Sequence, residues 1–163
     1  MRCYFLRHGV AVEPESWSGS DFERPLTREG CARIELEARA IDDLSLDLDW
    51  IVTSPLLRAK QTAEIVAARL NMRAGLVEDP RLAGGFNLER LGTIRGDYRA
   101  ANAIVLVGHE PSMSLTIGRA IGAASVELKK AALAGIELLD PSSSTGTLFC
   151  LIPPKVLVAL GKR

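Results

Sequence analysis

Ala103-Ile104-Val105-Leu106-Val107-Gly108-His109-Glu110-Pro111 is the stretch that decides the fold. A run this continuous suits a strand buried on both faces, the pattern of a parallel sheet, and Pro111 then opens a helix through Met113, Ile117 and Ile121 to Gly122. The same strand-to-helix order recurs upstream. Residues 3–7 hold Cys3-Tyr4-Phe5-Leu6-Arg7, and residues 50–54 begin Trp50-Ile51-Val52-Thr53. Between them, 27–44 carries Cys31, Ile34, Ala38 and Ile41 at helical spacing, with Thr27 as N-cap and Leu26 placed to staple against Cys31. Ser54 and Pro55 suggest the N-cap and first position of a second helix, with Ala59, Ala63, Val66 and Leu70 on its buried face. Arg58 then falls in the first turn.

A weaker strand is expected around 73–78 and a helix within 86–100. Residues 134–139 and 147–152 alternate around Asp140-Pro141-Ser142-Ser143-Ser144-Thr145-Gly146, the pattern of a hairpin closing one side of the sheet. Pro153-Pro154 is expected to end the order, leaving 155–163 as a short tail. The expectation is therefore an α/β fold: a three-layer αβα sandwich whose mostly parallel central sheet ends in a C-terminal antiparallel hairpin, in a single domain over 1–154.

Composition bounds what such a domain can do. With 163 residues, 47% hydrophobic and 25% charged, the chain can bury a sizeable core. Twenty basic and twenty acidic residues balance, with no lysine or arginine run, so no nucleic-acid footprint is expected and any anion site must be local. No apolar stretch approaches the roughly 20 residues that span a bilayer. The amino terminus reaches its arginines too soon for a signal peptide, so a cytoplasmic protein with no membrane partner is expected. Cys3, Cys31 and Cys150 are odd in number and set among apolar residues, which favours reduced thiols over disulfides or a metal site. None begins a Cys-x5-Arg phosphate loop.

The chain holds only two histidines, and both stand where an apolar strand runs out. Ligands of open α/β sheets bind at the carboxyl ends of the strands, so His8 and His109 are candidates for one site. The three strand ends near 7, 54 and 108 would bring Arg7, His8, Arg58 and His109 together, with the amides at the helix start near Glu110 facing the same space. Two guanidiniums, two imidazoles and helix-start amides suit a dianionic phosphate. Arginines usually make surface ion pairs. Arg7 is less easily explained that way, because it lies in an apolar strand where a charge without a partner is costly.

Leu6-Arg7-His8-Gly9, Ser54-Pro55-Leu56-Leu57-Arg58-Ala59 with Gln61-Thr62-Ala63, and Val107-Gly108-His109-Glu110-Pro111 resemble the three signature segments of the histidine phosphatase superfamily, the phosphoglycerate mutase-like fold. The short length, Arg24-Pro25-Leu26-Thr27 and Leu128-Lys129-Lys130-Ala131 look like the SixA-type phosphohistidine phosphatases within it. The resemblance implies a covalent mechanism with no cofactor and no metal. His8 would attack phosphorus and form a phosphohistidine that water then hydrolyses, while Arg7, Arg58, His109 and the Glu110 backbone amide hold phosphate oxygens. Such a nucleophile must be neutral, and the adjacent arginines favour that form. His109 can be protonated when a dianion is bound.

The chain departs from the wider superfamily in its proton donor. Where the mutase-like branch has a glutamate, this sequence offers Arg81-Leu82-Ala83-Gly84-Gly85-Phe86, without a carboxylate. Glu110 takes the place of the acid phosphatase branch's aspartate and is a candidate donor; it is equally readable as an acidic residue favoured by a helix dipole. Asp21, Glu13 and Glu15 in the 10–24 loop are further options. An imidazole leaving group needs less protonic help than an alkoxide, which tilts the expected substrate toward phosphohistidine on a signalling or phosphocarrier protein. Short connections would leave the site open to such a side chain, and Trp17 and Phe22 would either rim it or pin the loop to the core. The alternatives are a small-molecule phosphomonoesterase or mutase of the same superfamily and, from another class, a non-catalytic phosphohistidine-binding module. Asp47-Leu48-Asp49 resembles an aspartyl phosphatase motif, but it precedes a strand where that motif ends one, so a solvated loop is expected.

Overall fold

The computed structural model describes residues 1–138 and 145–163. Its centre is a six-stranded sheet in the order β3-β2-β4-β1-β5-β6. Strands β1 (Arg2–Arg7), β2 (Trp50–Thr53), β3 (Leu76–Glu78) and β4 (Ala103–Gly108) are mutually parallel, and β5 (Leu133–Leu138) and β6 (Gly146–Ile152) add antiparallel strands beside β1. The fold is the expected α/β sandwich. The turn proposed at 140–146 lies largely outside the described residues.

Alternate strand residues face opposite layers, as the period of two requires. Tyr4, Leu6, Ile51, Val105 and Val107 join one buried cluster with residues of α1 (Arg28–Asp43), α2 (Leu57–Arg69) and α5 (Pro154–Leu160). Cys3, Phe5, Val52, Ile104 and Leu106 join the other with α3 (Leu88–Asp97) and α4 (Ser112–Ala120). Both faces are thus covered, which explains why β1 and β4 are near-continuous apolar runs. The helix after β1 packs on one face and the helix after β4 on the other. Since β1 and β4 are neighbours, the chain diverges between their carboxyl ends and opens the crevice in which α/β proteins bind ligands.

Local chemistry sets most helix starts. The Thr27 hydroxyl accepts from Gly30 N at 2.9 Å, the expected cap of α1, and Asn87 caps α3 by accepting from Arg90 N at 2.9 Å. Helix α4 ends as foreseen, just before Gly122 at φ +93°. Three expectations need correction. Helix α2 begins at Leu57, not Pro55, with Leu56 at the cap position; the Ser54 hydroxyl accepts from Leu56 N at 3.3 Å and also lies against His109. Residues 73–75 form a 3-10 turn, leaving only Leu76–Glu78 as strand. The segment after Pro153 is no tail: Pro154 is the first residue of α5, a position where proline's missing N–H costs nothing.

Helix α5 lies against α1, and its closing residue must be glycine-sized because a Cβ at Gly161 would overlap the Leu36 carbonyl. Leu157 carries the contact and is fully buried in the α1 and α2 cluster. Leu157→Ala should therefore cost about 2–5 kcal/mol, the range for truncating a buried leucine. Urea unfolding should show a lower midpoint with an unchanged slope; an unchanged midpoint would mean that α5 is dispensable.

Candidate active site

Parallel pairing of β1 with β4 puts Arg7 opposite Gly108, and His8 N donates to the Gly108 carbonyl at 3.1 Å. The next residue on each strand is a histidine. Their rings lie 5.1 Å apart between centroids, tilted by 53°. His8, His109 and Arg58 are 7%, 8% and 6% exposed, so two histidines at the strand ends and an arginine of α2 are all buried. Arg7, half-buried beside them, donates Nη1 to the Leu128 carbonyl at 3.0 Å.

His8 Nδ1 lies 2.7 Å from the Gly9 carbonyl. A carbonyl only accepts, so Nδ1 carries the hydrogen and Nε2 keeps its lone pair, the tautomer a nucleophile needs. The loop is tied down from the other side: Gly9 N donates to Thr62 Oγ1 at 3.1 Å, and that hydroxyl donates to the Arg58 carbonyl at 2.7 Å. Thr62 thus locks the histidine loop to the first turn of α2.

Arg58 reaches in the opposite direction. Its Nη1 and Nη2 donate to the Asp21 carbonyl at 2.8 Å and the Asp21 carboxylate at 3.0 Å. Asp21 also accepts from Arg24 Nε at 2.7 Å, Arg24 Nη1 donates to the Val12 carbonyl at 2.6 Å, and Leu26 N donates to Gln61 Oε1 at 2.8 Å. The 10–24 loop is therefore hung on α2. Of the two aromatics considered as a rim, Phe22 is exposed on the turn that touches Arg58, while Trp17 Nε1 donates to the Ser20 carbonyl and pins the loop to itself.

Of the candidate donors, Glu110, Glu13 and Asp21 are engaged. Glu110 stands next to His109, and its carboxylate accepts from Ser114 N at 3.0 Å and Ser114 Oγ at 2.5 Å. Glu13 pairs with Lys130 at 3.6 Å, and Asp21 is held by two arginines. Asp49 lies at the opposite ends of the strands, accepting from Asn102 N and Ala103 N, so the Asp47-Leu48-Asp49 loop is structural.

The buried polar atoms left without a hydrogen-bond partner include Arg7 Nε, Arg58 Nε and His109 Nδ1. An anion between the strand ends would answer all three. Electrostatics favour it as well. Burial, then His109, Arg58 and Arg7, push His8 down to about 3, against the opposing Gly9 hydrogen bond. Burial and Arg58, partly offset by Asp21, lower His109 to about 4, and Arg24 and Arg7 act in the same direction. Burial also lowers both arginines, against Glu110 for Arg7 and against Asp21 for Arg58. Every one of these groups gains from a nearby negative charge.

Sequence reasoning missed three partners. Ser54 read as a helix cap; Thr62 lay inside a quoted motif without a role; Asp21 was weighed as a donor and not as the ligand of Arg58. The signal for Ser54 and Thr62 is a hydroxyl at a position that the strand and helix patterns bury.

Residues 3–84 match the histidine phosphatase superfamily (branch 1), and the chain belongs to that superfamily. It is 32% identical to an uncharacterized protein of Picosynechococcus sp. strain PCC 7002, over 97% of this chain and 99% of that one. Phosphohistidine phosphatase SixA of Escherichia coli K12 is 34% identical over 50% of this chain and 49% of its own. The structure of the protein histidine phosphatase SixA complexed with tungstate superposes with a TM-score of 0.84 at 25% identity, covering 95% of this chain and 98% of that one. Family and structural relatives together support a phosphatase. Among the described residues no helix is long and apolar enough to cross a membrane.

The depressed histidines carry a stability signature. Unfolded, they titrate near about 6.5, so as pH falls the unfolded chain takes up protons first. The stability they leave intact above about pH 6.5 is lost progressively toward their folded values. Replacing both, His8→Asn with His109→Asn, should make urea stability less sensitive to acid between about pH 7 and pH 4. Parallel pH profiles for wild type and double variant would show that the fold does not hold these rings neutral.

Proposed function

We propose that the chain is a metal-independent phosphatase that works through a phosphohistidine intermediate on His8 and removes phosphate from phosphohistidine on a signalling or phosphocarrier protein. The observation that carries this reading is the free Nε2 of His8, set beside the unpartnered nitrogens of Arg7, Arg58 and His109. His8 Nε2 attacks phosphorus and the P–N bond to the substrate imidazole breaks. The leaving imidazole keeps the electron pair and takes a proton from solvent. Water then attacks the phosphorylated His8, the ring leaves with the pair from its N–P bond, and inorganic phosphate departs. Arg7, Arg58, His109 and the Glu110 amide hold the equatorial oxygens, whose charge changes most in the transition state.

Three further points support the details. Two guanidiniums beside the histidines disfavour a divalent cation and already supply positive charge of the kind a metal would bring. Glu110 is kept as the donor for leaving groups that need a proton, which requires its release from Ser114. Phosphohistidine needs no such donor, and the sequence relatives include a phosphohistidine phosphatase.

Denaturing quench during turnover should trap an acid-labile phosphate on His8. His8→Ala should abolish turnover, and Arg58→Ala should lose on the order of 100-fold or more, the usual cost of one preorganised charge partner. A folded, fully active Arg58→Ala protein would remove that residue from the site. The substrate is tested by comparing kcat/KM for a phosphohistidine carrier protein with values for sugar phosphates, with and without EDTA. The protein substrate should win in both conditions. A clearly superior metabolite would overturn the substrate, activity rescued from EDTA by magnesium would overturn the mechanism, and tight binding without turnover would make the chain a reader.

A further inference from the structure

Ser54 is fully buried at the carboxyl end of β2, where a polar side chain must have its hydrogen bonds met. Its hydroxyl oxygen accepts from Leu56 N at 3.3 Å and lies 2.8 Å from His109 Nε2. A serine hydroxyl has one hydrogen to give. Among the described residues, Nε2 of His109 is the one acceptor within hydrogen-bond distance of it. If the imidazole instead carried its hydrogen on Nε2, the hydroxyl hydrogen would be stranded in the core. Nδ1 would then present a bare lone pair to any bound anion. One arrangement gives the serine hydrogen an acceptor and offers a bound anion a donor: Ser54 O–H donates to Nε2, and the ring hydrogen sits on Nδ1, the buried nitrogen without a partner.

We propose that Ser54 is a positioning residue for phosphoryl transfer, holding His109 as the Nδ1–H tautomer so that the neutral imidazole donates a hydrogen bond to a phosphate oxygen. The proposal rests on the phosphatase reading above and adds the state in which His109 works. That state differs from the one expected from sequence, in which His109 can be protonated when a dianion is bound. The groups that act on His109 are Arg7 and His8 from the end of β1, Arg58 from α2, and Asp21 and Arg24 from the 10–24 loop. Cations outnumber the single carboxylate, and burial adds to them, so in the anion-free site the ring is pushed down to about 4. A neutral imidazole donates through one nitrogen only, and the hydrogen bond on the other decides which. An imidazolium would need Nε2–H to point at Ser54, displacing the serine hydrogen from its acceptor.

With only two histidines in the chain, ring 15N resonances of the 15N-histidine-labelled protein can be assigned with a single His8→Ala spectrum. At neutral pH the wild-type protein should show His109 protonated on Nδ1 and unprotonated on Nε2, both before and after tungstate is added. Tungstate binding followed by calorimetry in buffers of different ionisation enthalpy should show no proton uptake. Ser54→Ala should lose the tautomer preference, take up a proton with tungstate, and lower kcat/KM by roughly 10- to 100-fold, the range for partners that orient a ligating histidine. Ser54→Thr, which restores the hydroxyl, should recover most of the loss. An Nε2–H tautomer in the wild type, or an imidazolium in the tungstate complex, overturns the proposal, and neither readout depends on Ser54→Ala folding. An unchanged tautomer in folded Ser54→Ala also overturns it. Failure of the phosphatase reading would appear separately, as absence of turnover with the tautomer intact.

Discussion

The site depends on the register between β1 and β4. Because these neighbours are parallel and Arg7 faces Gly108, the two residues that follow, His8 and His109, are brought side by side without any loop having to be folded precisely. A slip of one residue would turn every side chain of one strand to the opposite layer. The apolar sets on both faces forbid that, since Tyr4 and Leu6 belong to one cluster and Cys3 and Phe5 to the other. The same core packing that stabilises the sheet therefore aligns the histidines.

Around that alignment, cations are gathered where burial disfavours them. Neutral hydrogen bonds do much of the holding. Arg7 is tethered by the Leu128 carbonyl, His8 by the Gly9 carbonyl and His109 by the Ser54 hydroxyl. Among the described residues, Asp21 supplies the one carboxylate paired with this group, through Arg58, and its side chain is 61% exposed. The positive potential is thus directed inward, toward the crevice, while its neutralising charge stands at the rim. A site built this way leaves buried nitrogens of Arg7, Arg58 and His109 without partners, which suits it to an anion.

Much of this was legible in the sequence, for a definite reason. Buried parallel strands announce themselves as apolar runs, and the carboxyl end of such a run is a place where Arg7, His8 and His109 are conspicuous. The less legible features depend on competition between local and tertiary partners. Ser54 has the sequence signature of a cap, and only the neighbouring strand brings His109 close enough to claim its hydroxyl. Pro153-Pro154 reads as a stop, yet proline is also a good first residue of a helix, and Leu157 finds a core that sequence alone does not reveal. Asp21 sits in a polar loop with several carboxylates, none distinguished by spacing; its attachment to Arg58 follows from the way Val12, Leu26 and Arg24 fold that loop back onto α2.

The anchoring of the histidine loop through Thr62 separates two jobs that could have been entangled. His8 is positioned by the sheet, by Gly9 and by a hydroxyl from the second turn of α2, none of which involves the 10–24 loop. The loop meets this apparatus through Asp21 on the outer nitrogens of Arg58 and through Gln61. Its exposed residues other than Asp21, Phe22 among them, can therefore drift while the His8 ring stays in place. Descendants of such a scaffold can change the company they keep by rewriting one surface loop, provided that the new loop still grips the outer nitrogens of Arg58.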